Sequence, residues 1–166
     1  MKIYASYGTY GFLHQLYLNN PDHNLHIFST NDASVIIEET AQDTILKEPL
    51  SYEVLASEGE LNDDNFYAVL AIPSSENHAY QLEHKLAPLS ADLTQYGGFK
   101  TYRFLKPIHG TTYKVYLGFE KRQDYEAFKS STVYTDNFTK TALHQFFGTS
   151  EQHASYFERY LYPITD

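Results

Sequence analysis

The stretch TYKVYLGF, residues 112–119, carries the clearest strand pattern in this chain. Its large apolar side chains fall at every second position, which is the spacing of a strand with one buried face. These side chains belong to Tyr113, Val115, Leu117 and Phe119. A second strand pattern covers residues 99–106, and the turn-forming residues PIHGT separate the two. The two segments are therefore predicted to pair as an antiparallel hairpin.

Segments before the hairpin add a strand and a helix. Residues 66–72 form a largely apolar run, typical of a central strand, and Pro73 closes it. The helix begins near His78, and Pro88 should kink or divide it. One apolar stripe at helical spacing marks the side of this helix that faces the core. The stripe consists of Ala79, Leu82, Leu86, Leu89 and Leu93.

Segments after the hairpin complete the pattern. Residues 121–130 and 135–147 predict helices, and residues 156–162 predict a closing strand. The order is strand, helix, two strands, helix, strand. This order indicates an α+β fold of the ferredoxin-like type, an open antiparallel sheet with helices packed on one face.

Residues 1–64 predict a smaller α+β lobe ahead of this domain. It contains a strand at 2–7, a helix that ends at Asn19-Asn20-Pro21, and a hairpin from 25–29 and 34–39. Weaker patterns predict a short strand at 44–46 and a short helix at 52–57. The acidic, turn-rich run 58–65 marks the boundary, so the predicted domains are 1–64 and 65–166.

Composition excludes several classes of function. With 12 basic and 21 acidic residues, the net charge of −9 repels nucleic-acid backbones, so direct nucleic-acid binding is not expected. The lack of cysteine excludes disulfides, thiolate nucleophiles and iron–sulfur clusters. The amino terminus reaches Gly8 before a signal-peptide core could form, and no apolar run could span a bilayer. We expect a cytoplasmic protein with at most peripheral membrane association.

Eight histidines are the first candidates for chemistry, because imidazole titrates near neutral pH and binds metals. None belongs to a recognised metal-binding motif, so no metal site is predicted. His78 and His84 lie outside the leucine stripe of their helix and should face solvent or a partner. His144 and His153 flank an aromatic pair at 146–147. These four side chains could line a planar ligand or could simply close a core.

The carboxylates give no paired acid–base site. Glu38 and Glu39 are neighbours on a strand, so their side chains point to opposite faces and cannot converge on one proton or metal. The acidic run 58–64 lacks the oxygen spacing of a calcium loop. The 16 tyrosines suit either half-buried strands or a protein-binding surface, and the sequence leaves both open. No catalytic residue is therefore predicted.

Five long stretches of this sequence form a recognisable set. They are YGTYGFLHQ at 7–15, HAYQLE at 78–83, GGFK at 97–100, GTTYK at 110–114 and SYFERYLYPI at 155–164. Together they resemble the TRAP family of staphylococcal signal transduction proteins, the targets of RNAIII-activating protein. The resemblance spans essentially the whole chain and implies a ferredoxin-like antibiotic biosynthesis monooxygenase (ABM) domain of the dimeric alpha-beta barrel type, preceded by a smaller lobe.

The same resemblance implies a membrane-associated regulator of virulence and quorum-sensing signalling that is phosphorylated on histidine. His78 and His153 stand at two of the family's phosphohistidine positions, whereas Asn65 stands at a third and cannot form phosphohistidine. An accessible neutral imidazole can accept a phosphoryl group and thereby gains negative charge. His78 and His153 are the phosphohistidine candidates by this resemblance.

The chain also resembles the small heme-degrading monooxygenases of the bacillary HmoB type, which share its two-lobe length. These relatives hold heme iron through a histidine on the last helix of the ABM domain, with an asparagine from its first strand over the ligand side. The matching positions here are Phe138 and Leu70. A phenyl ring has no lone pair for iron, and leucine has no amide hydrogen, so this resemblance transfers no heme chemistry.

Three readings of function follow. The preferred one is a non-catalytic regulatory protein that acts through its surfaces, binds protein partners and needs no cofactor. The alternative is a heme-binding or heme-degrading monooxygenase with heme as its cofactor, which rests on the shared fold. The third is a homodimerising domain whose exposed sheet face pairs with a second copy.

Overall fold

The computed structural model describes residues 1–148 and 155–165. Eight strands and six short helices make up the described part. The strands are β1 (Lys2–Gly8), β2 (Leu25–Ser29), β3 (Ser34–Thr40), β4 (Leu50–Glu58), β5 (Phe66–Pro73), β6 (Phe99–Pro107), β7 (Thr112–Phe119) and β8 (Phe157–Leu161). The helices are α1 (Tyr10–Asn19), α2 (Ala79–Leu86), α3 (Ser90–Leu93), α4 (Arg122–Phe128), α5 (Thr132–Asn137) and α6 (Lys140–Leu143). Short 3-10 segments cover Glu76–His78, Ala87–Leu89 and His144–Phe146.

All eight strands belong to one antiparallel sheet in the order β2-β3-β1-β4-β6-β7-β5-β8. The two outer strands meet where Ser29 forms an isolated bridge with Tyr162. The N–H of each residue donates to the carbonyl of the other at 2.8 Å. This contact nearly closes the sheet into a barrel with an inner and an outer face.

The inner face holds a core that both halves of the chain supply. Strand residues alternate between the faces, so every second side chain points inward. Inward residues from all eight strands meet in one cluster with Leu61 from the segment between β4 and β5. The strand residues are Ile3, Ala5, Phe28, Val35, Ile37, Tyr52, Tyr67, Val69, Leu105, Tyr116 and Leu161. The amino-terminal strands therefore cover the inner face of the carboxy-terminal strands. A separate smaller lobe is not confirmed, and the boundary between 64 and 65 stays a prediction.

The outer face carries two further cores beneath the helices. A large aromatic and leucine core lies between the carboxy-terminal strands and α2 to α6. A smaller core centred on Leu13 lies under α1. The predicted hairpin, the central strand at 66–72 and the closing strand are confirmed as β6–β7, β5 and β8. The ferredoxin-like order of the second half is likewise confirmed.

The leucine stripe lies where its spacing predicted. Leu82, Leu86 and Leu93 are fully buried, and Leu89 is nearly so. Pro88 lies in the 3-10 segment between α2 and α3, because its ring and missing N–H interrupt an α-helix. The stripe thus continues across two helices that Pro88 separates.

Residues 52–57, predicted as a short helix, lie in strand β4, so that prediction is wrong. β4 pairs with β1 on one side and with β6 on the other. A bulge between Val54 and Ala56 shifts its register against β6. The bulge breaks the two-residue alternation from which a strand is recognised in a sequence.

The short strand predicted at 44–46 is also wrong. The buried Glu38 carboxylate accepts hydrogen bonds from the Thr44 hydroxyl at 2.7 Å and from the Ile45 N–H at 3.0 Å. This segment is bonded to a side chain and does not join the sheet.

The helix predicted at 135–147 begins earlier and is divided. α5 starts at Thr132, and a new helix, α6, starts after Thr139. The Thr139 hydroxyl accepts a hydrogen bond from the Ala142 N–H at 3.1 Å, which is the capping contact of a helix start.

Candidate functional site

Phe138, which the resemblance to the heme-degrading monooxygenases aligns with their iron-binding histidine, is fully buried. Its ring lies 6.2 Å from that of Tyr102, 6.3 Å from that of Phe128 and 6.4 Å from that of Tyr134, measured between ring centroids. These four rings are called the aromatic cluster below. Leu70, on β5, is fully buried in the same outer core. The space between sheet and helices is therefore occupied by side chains here.

Two tyrosine hydroxyls at the aromatic cluster donate to backbone carbonyls. The Tyr102 hydroxyl donates to the Leu86 carbonyl at 2.7 Å, and the Tyr156 hydroxyl donates to the Phe138 carbonyl at 2.7 Å. Burial raises the pKa of Tyr102 and of Tyr156 above the usual value for tyrosine. Both phenols stay protonated at neutral pH. Neither supplies the tyrosinate that binds iron in some heme proteins.

His78 lies at the end of a 3-10 segment, directly before α2, and is half-buried. Its Nδ1 is 2.6 Å from the Ser75 hydroxyl oxygen. When Nδ1–H donates to that oxygen, Nε2 keeps the lone pair that a nucleophilic imidazole needs. His84 is exposed and its ring lies 4.1 Å from the exposed ring of Tyr80.

The predicted group at residues 144–153 is only partly described. His144 is exposed, with its ring 5.6 Å from that of Phe147, whereas Phe146 is buried in the outer core. His153 lies outside the described residues. His144 and Phe146 thus differ in exposure. The part of this group that His153 would supply stays a prediction.

Two other histidines bind carboxylates. His23 Nδ1 lies 2.7 Å from the buried Glu38 carboxylate, and His26 Nδ1 lies 2.5 Å from that of Asp63. Asn65, at the third family phosphohistidine position, is buried in the turn before β5. These side chains hold loops against the amino-terminal strands.

Glu39 points to the inner face, opposite to Glu38, as the strand alternation predicted. It forms a two-pronged ion pair with the buried Arg103, at 2.6 Å to Nε and 3.1 Å to Nη2. The inner face also carries Lys114 and Arg159, which the sequence analysis did not single out. The signal was present in TYKVYLGF, because its alternation sends Lys114 to the face opposite Tyr113 and Val115.

An apolar cavity of about 500 Å³ lies between α1 and the segment before β4. Leu16 and Leu46 line it, and the side chains of Phe12 and Leu50 at its edge are exposed. Lys47 and Glu48 add charge at the same edge.

Among the described residues, none of the helices is long and apolar enough to cross a membrane. The same part of the chain holds no group of three or more histidine, aspartate or glutamate side chains placed to bind a metal ion.

Comparison with known sequences places close relatives in Staphylococcus aureus. The chain is 56% identical over 165 residues to the signal transduction protein TRAP of strain bovine RF122 / ET3-1, covering 99% of each chain. It is 55% identical over 165 residues to the protein of the same name from strain USA300, with the same coverage. No protein-family model matches the chain.

Comparison with solved structures separates family from fold. A structure described as a major regulator of staphylococcal pathogenesis is 52% identical and superposes with a TM-score of 0.92, covering 99% of this chain and 100% of the other. The heme-degrading enzyme LmHde from Listeria monocytogenes is 16% identical with a TM-score of 0.80, covering 98% of this chain and 100% of the other. At that identity the second match shows the ferredoxin-like ABM fold alone.

Proposed function

This chain belongs to the TRAP family of signal transduction proteins, and we propose that it performs that role by binding protein partners, without catalysing a reaction. The observation that carries this proposal is the fully buried Phe138, which stands where the heme-degrading proteins place a histidine. Leu70 takes the place of their asparagine and is also fully buried. Neither side chain can bind iron or hydrogen-bond to oxygen.

The pathway that we propose is regulation of staphylococcal virulence, with quorum sensing as the finer assignment. Support comes from the solved structure at 52% identity, which is described as a regulator of staphylococcal pathogenesis. We place the protein in the cytoplasm, with at most peripheral membrane association. The net charge of −9 argues against direct attraction to anionic lipid, so an association of that kind would depend on a protein partner.

His78 is the described candidate for histidine phosphorylation, and His153 is the second candidate. The Ser75 hydroxyl, 2.6 Å from Nδ1, leaves Nε2 of His78 as the nitrogen that would accept a phosphoryl group. A phosphoryl group on Nε2 would add negative charge at the start of α2, where the helix dipole favours it. The proposal for these two residues rests on the family resemblance together with this geometry.

The surface best suited to a protein partner is the exposed side of α1. Phe12 is 61% exposed, and Tyr10, Tyr17 and Leu18 on the same helix are also exposed. The ring of His14 stacks between Tyr10 at 5.0 Å and Tyr17 at 6.3 Å, which holds these tyrosines in place. Exposed aromatic and apolar side chains are enriched where protein surfaces bind partners, and α1 carries four of them.

A homodimer would have to form away from the inner face of the sheet. That face is buried within the chain, and the outer face of the carboxy-terminal strands lies under helices. The sheet face that the third reading assigned to a second copy is therefore already covered. We propose that a homodimer of this chain uses the α1 surface.

Complementation of a deletion strain tests the proposed function. Phe12→Ser removes an exposed ring and should leave the folded structure intact, because surface changes shift stability by about 0.5 kcal/mol or less. We expect virulence-factor transcripts to stay at the deletion level with Phe12→Ser and to recover with the wild type. Thr94→Ser, a conservative change at the exposed residue that follows α3, serves as the control and should complement. Full complementation by Phe12→Ser would contradict the assigned surface.

A further inference from the structure

Two cations meet at one end of the barrel interior. This is the end at which β1 and β5 finish and β4, β7 and β8 begin. Lys114 on β7 lies opposite Ala71 on β5, and Arg159 on β8 lies opposite Val69 on β5. β7 and β8 flank β5, so their backbones are about 10 Å apart. The two small side chains on β5 leave room for Lys114 and Arg159 to approach each other.

Aromatic rings, and no carboxylates, surround these cations in the described part of the chain. The Arg159 guanidinium carbon lies 4.5 Å from the ring centre of Tyr7, and the Lys114 ammonium lies 5.3 Å from that of Phe157. No aspartate or glutamate there comes within ion-pair distance of either cation, in contrast to Arg103, which binds Glu39. Two like charges share a half-buried site in a protein with a net charge of −9.

The electrostatics of Lys114 reflect this arrangement. Burial and the positive charge of Arg159 lower the pKa of Lys114 to about 8. Most of the amine still carries its charge at pH 7, although both effects oppose it. A bound anion would remove the repulsion between the two cations and would restore the Lys114 pKa toward its usual value.

Two buried hydroxyls at the same end have no hydrogen-bond partner among the described residues. Tyr116 is 3% exposed and Tyr52 is 6% exposed. Both belong to the inner core of the barrel, and Tyr7 packs against that same core. Burial raises the pKa of both hydroxyls. Buried polar atoms are almost always hydrogen-bonded in native proteins, so two unpaired hydroxyls in one place indicate a missing acceptor.

The geometry points to a binding site for a small phosphate-type oxyanion at this end of the barrel, formed by Lys114, Arg159, Tyr7, Tyr52 and Tyr116. We call these five residues the barrel-end cluster. Nothing in the proposed signalling role requires such a site.

The chemistry of the barrel-end cluster favours phosphate over a singly charged anion. Two cations match the charge of a dianion, and a phosphate offers enough acceptor oxygens for the guanidinium, the ammonium and the free phenols at once. A guanidinium donates through two parallel N–H groups, which fits two oxygens of one phosphate. The ligand class is therefore a free phosphate or the phosphoryl group of a small organic phosphate.

Calorimetric titration of the full-length protein with inorganic phosphate tests the site. The titration is performed at pH 7 and constant ionic strength, with chloride replacing phosphate in the reference. We expect saturable binding of about one phosphate per chain in the wild type. Lys114→Met should weaken it by about tenfold to a hundredfold, the effect of losing one charge-assisted hydrogen bond.

Lys100→Met is the matched control, because Lys100 is exposed and lies near the start of β6, at the other end of the barrel. It makes the same change in net charge and should leave the phosphate affinity within about twofold, since an exposed charge at that distance is screened. Tyr116→Phe provides a second test that preserves all charges. Tyr116→Phe should weaken phosphate binding. In phosphate-free buffer, its unfolding temperature should equal that of the wild type or lie slightly above it.

A second titrant, O-phosphoserine, distinguishes the two sources of the phosphoryl group. Tighter binding of the monoester would assign the site to an organic phosphate, and tighter binding of the free ion would assign it to inorganic phosphate. Both outcomes support the site. Absence of phosphate binding beyond the chloride reference, or equal affinities for wild type and Lys114→Met, would overturn it.

Discussion

Two groups of buried tyrosines lie on opposite faces of the same sheet and differ in what their hydroxyls contact. On the outer face, around Phe138, the Tyr102 and Tyr156 hydroxyls each donate to a backbone carbonyl at 2.7 Å. On the inner face, the Tyr52 and Tyr116 hydroxyls have no partner in the described part of the chain. The two outer hydroxyls are therefore hydrogen-bonded within the chain, whereas the two inner hydroxyls could each donate a hydrogen bond to a ligand.

The difference between the two faces shows that a shared fold does not imply a shared binding site. The heme-degrading enzyme LmHde has 16% identity and the same architecture, yet Phe138 and Leu70, the positions that the sequence resemblance aligned with heme-site residues, lie here in apolar packing. Charged and hydroxyl groups without partners are found in the barrel-end cluster, on the other face. Any small-molecule binding by this chain is therefore expected at a place that the fold comparison does not indicate.

The largest expected effect comes from breaking the outer core. Phe138→Ala should lower the free energy of unfolding by about 3–5 kcal/mol, because it removes a fully buried ring and leaves a cavity. The change in the free energy of unfolding is measured by urea denaturation, monitored by circular dichroism. Phe12→Ala, which removes an exposed ring, is the control and should stay within about 0.5 kcal/mol. A loss below about 1 kcal/mol for Phe138→Ala would show that the outer face is loosely packed.

Removing one hydroxyl from each group sharpens the comparison directly. Tyr102→Phe should destabilise by about 1–3 kcal/mol, because the buried Leu86 carbonyl loses its donor. Tyr116→Phe should be neutral or stabilising in phosphate-free buffer, because its hydroxyl has no partner to lose. Differential scanning calorimetry of both variants decides the point. Equal losses in the two variants would mean that the Tyr116 hydroxyl is satisfied.

The smallest expected effect concerns the charge of Lys114. Its pKa of about 8 should appear as a titration of the side-chain Cε resonance near that pH. Arg159→Met should move the midpoint upward, because a nearby positive charge is one of the two causes of the depression. NMR of ¹³C-labelled lysine measures the midpoint in both proteins. An unchanged midpoint in Arg159→Met would place the two cations too far apart to share an anion.

Much of the carboxy-terminal fold could be predicted because its signals are local. The alternation of TYKVYLGF and the leucine stripe before it each fix a periodicity within one element. β4 was misread because its strand character depends on pairing with β1 and β6, and its bulge at Val54 disrupts the local pattern. Closure of the barrel through Ser29 and Tyr162 is a long-range event that no local pattern encodes.

The sites were predicted less completely than the fold. Phe138 and Leu70 could be identified because a family resemblance aligned them with functional positions. The barrel-end cluster was missed because its cations come from β7 and β8, whose meeting depends on the strand order. The sequence does place Lys114 opposite the apolar face of its strand, but only the closed barrel shows that this opposite face is also buried.

Titration of the purified protein with hemin tests most directly whether the outer core excludes heme chemistry. The heme-degrading enzyme LmHde, which shares the fold, serves as the positive control. We predict no stoichiometric shift of the Soret band and no loss of heme when reductant and oxygen are added, because Phe138 and Leu70 fill the site. A one-to-one Soret shift followed by heme loss in air with reductant would contradict the non-catalytic assignment.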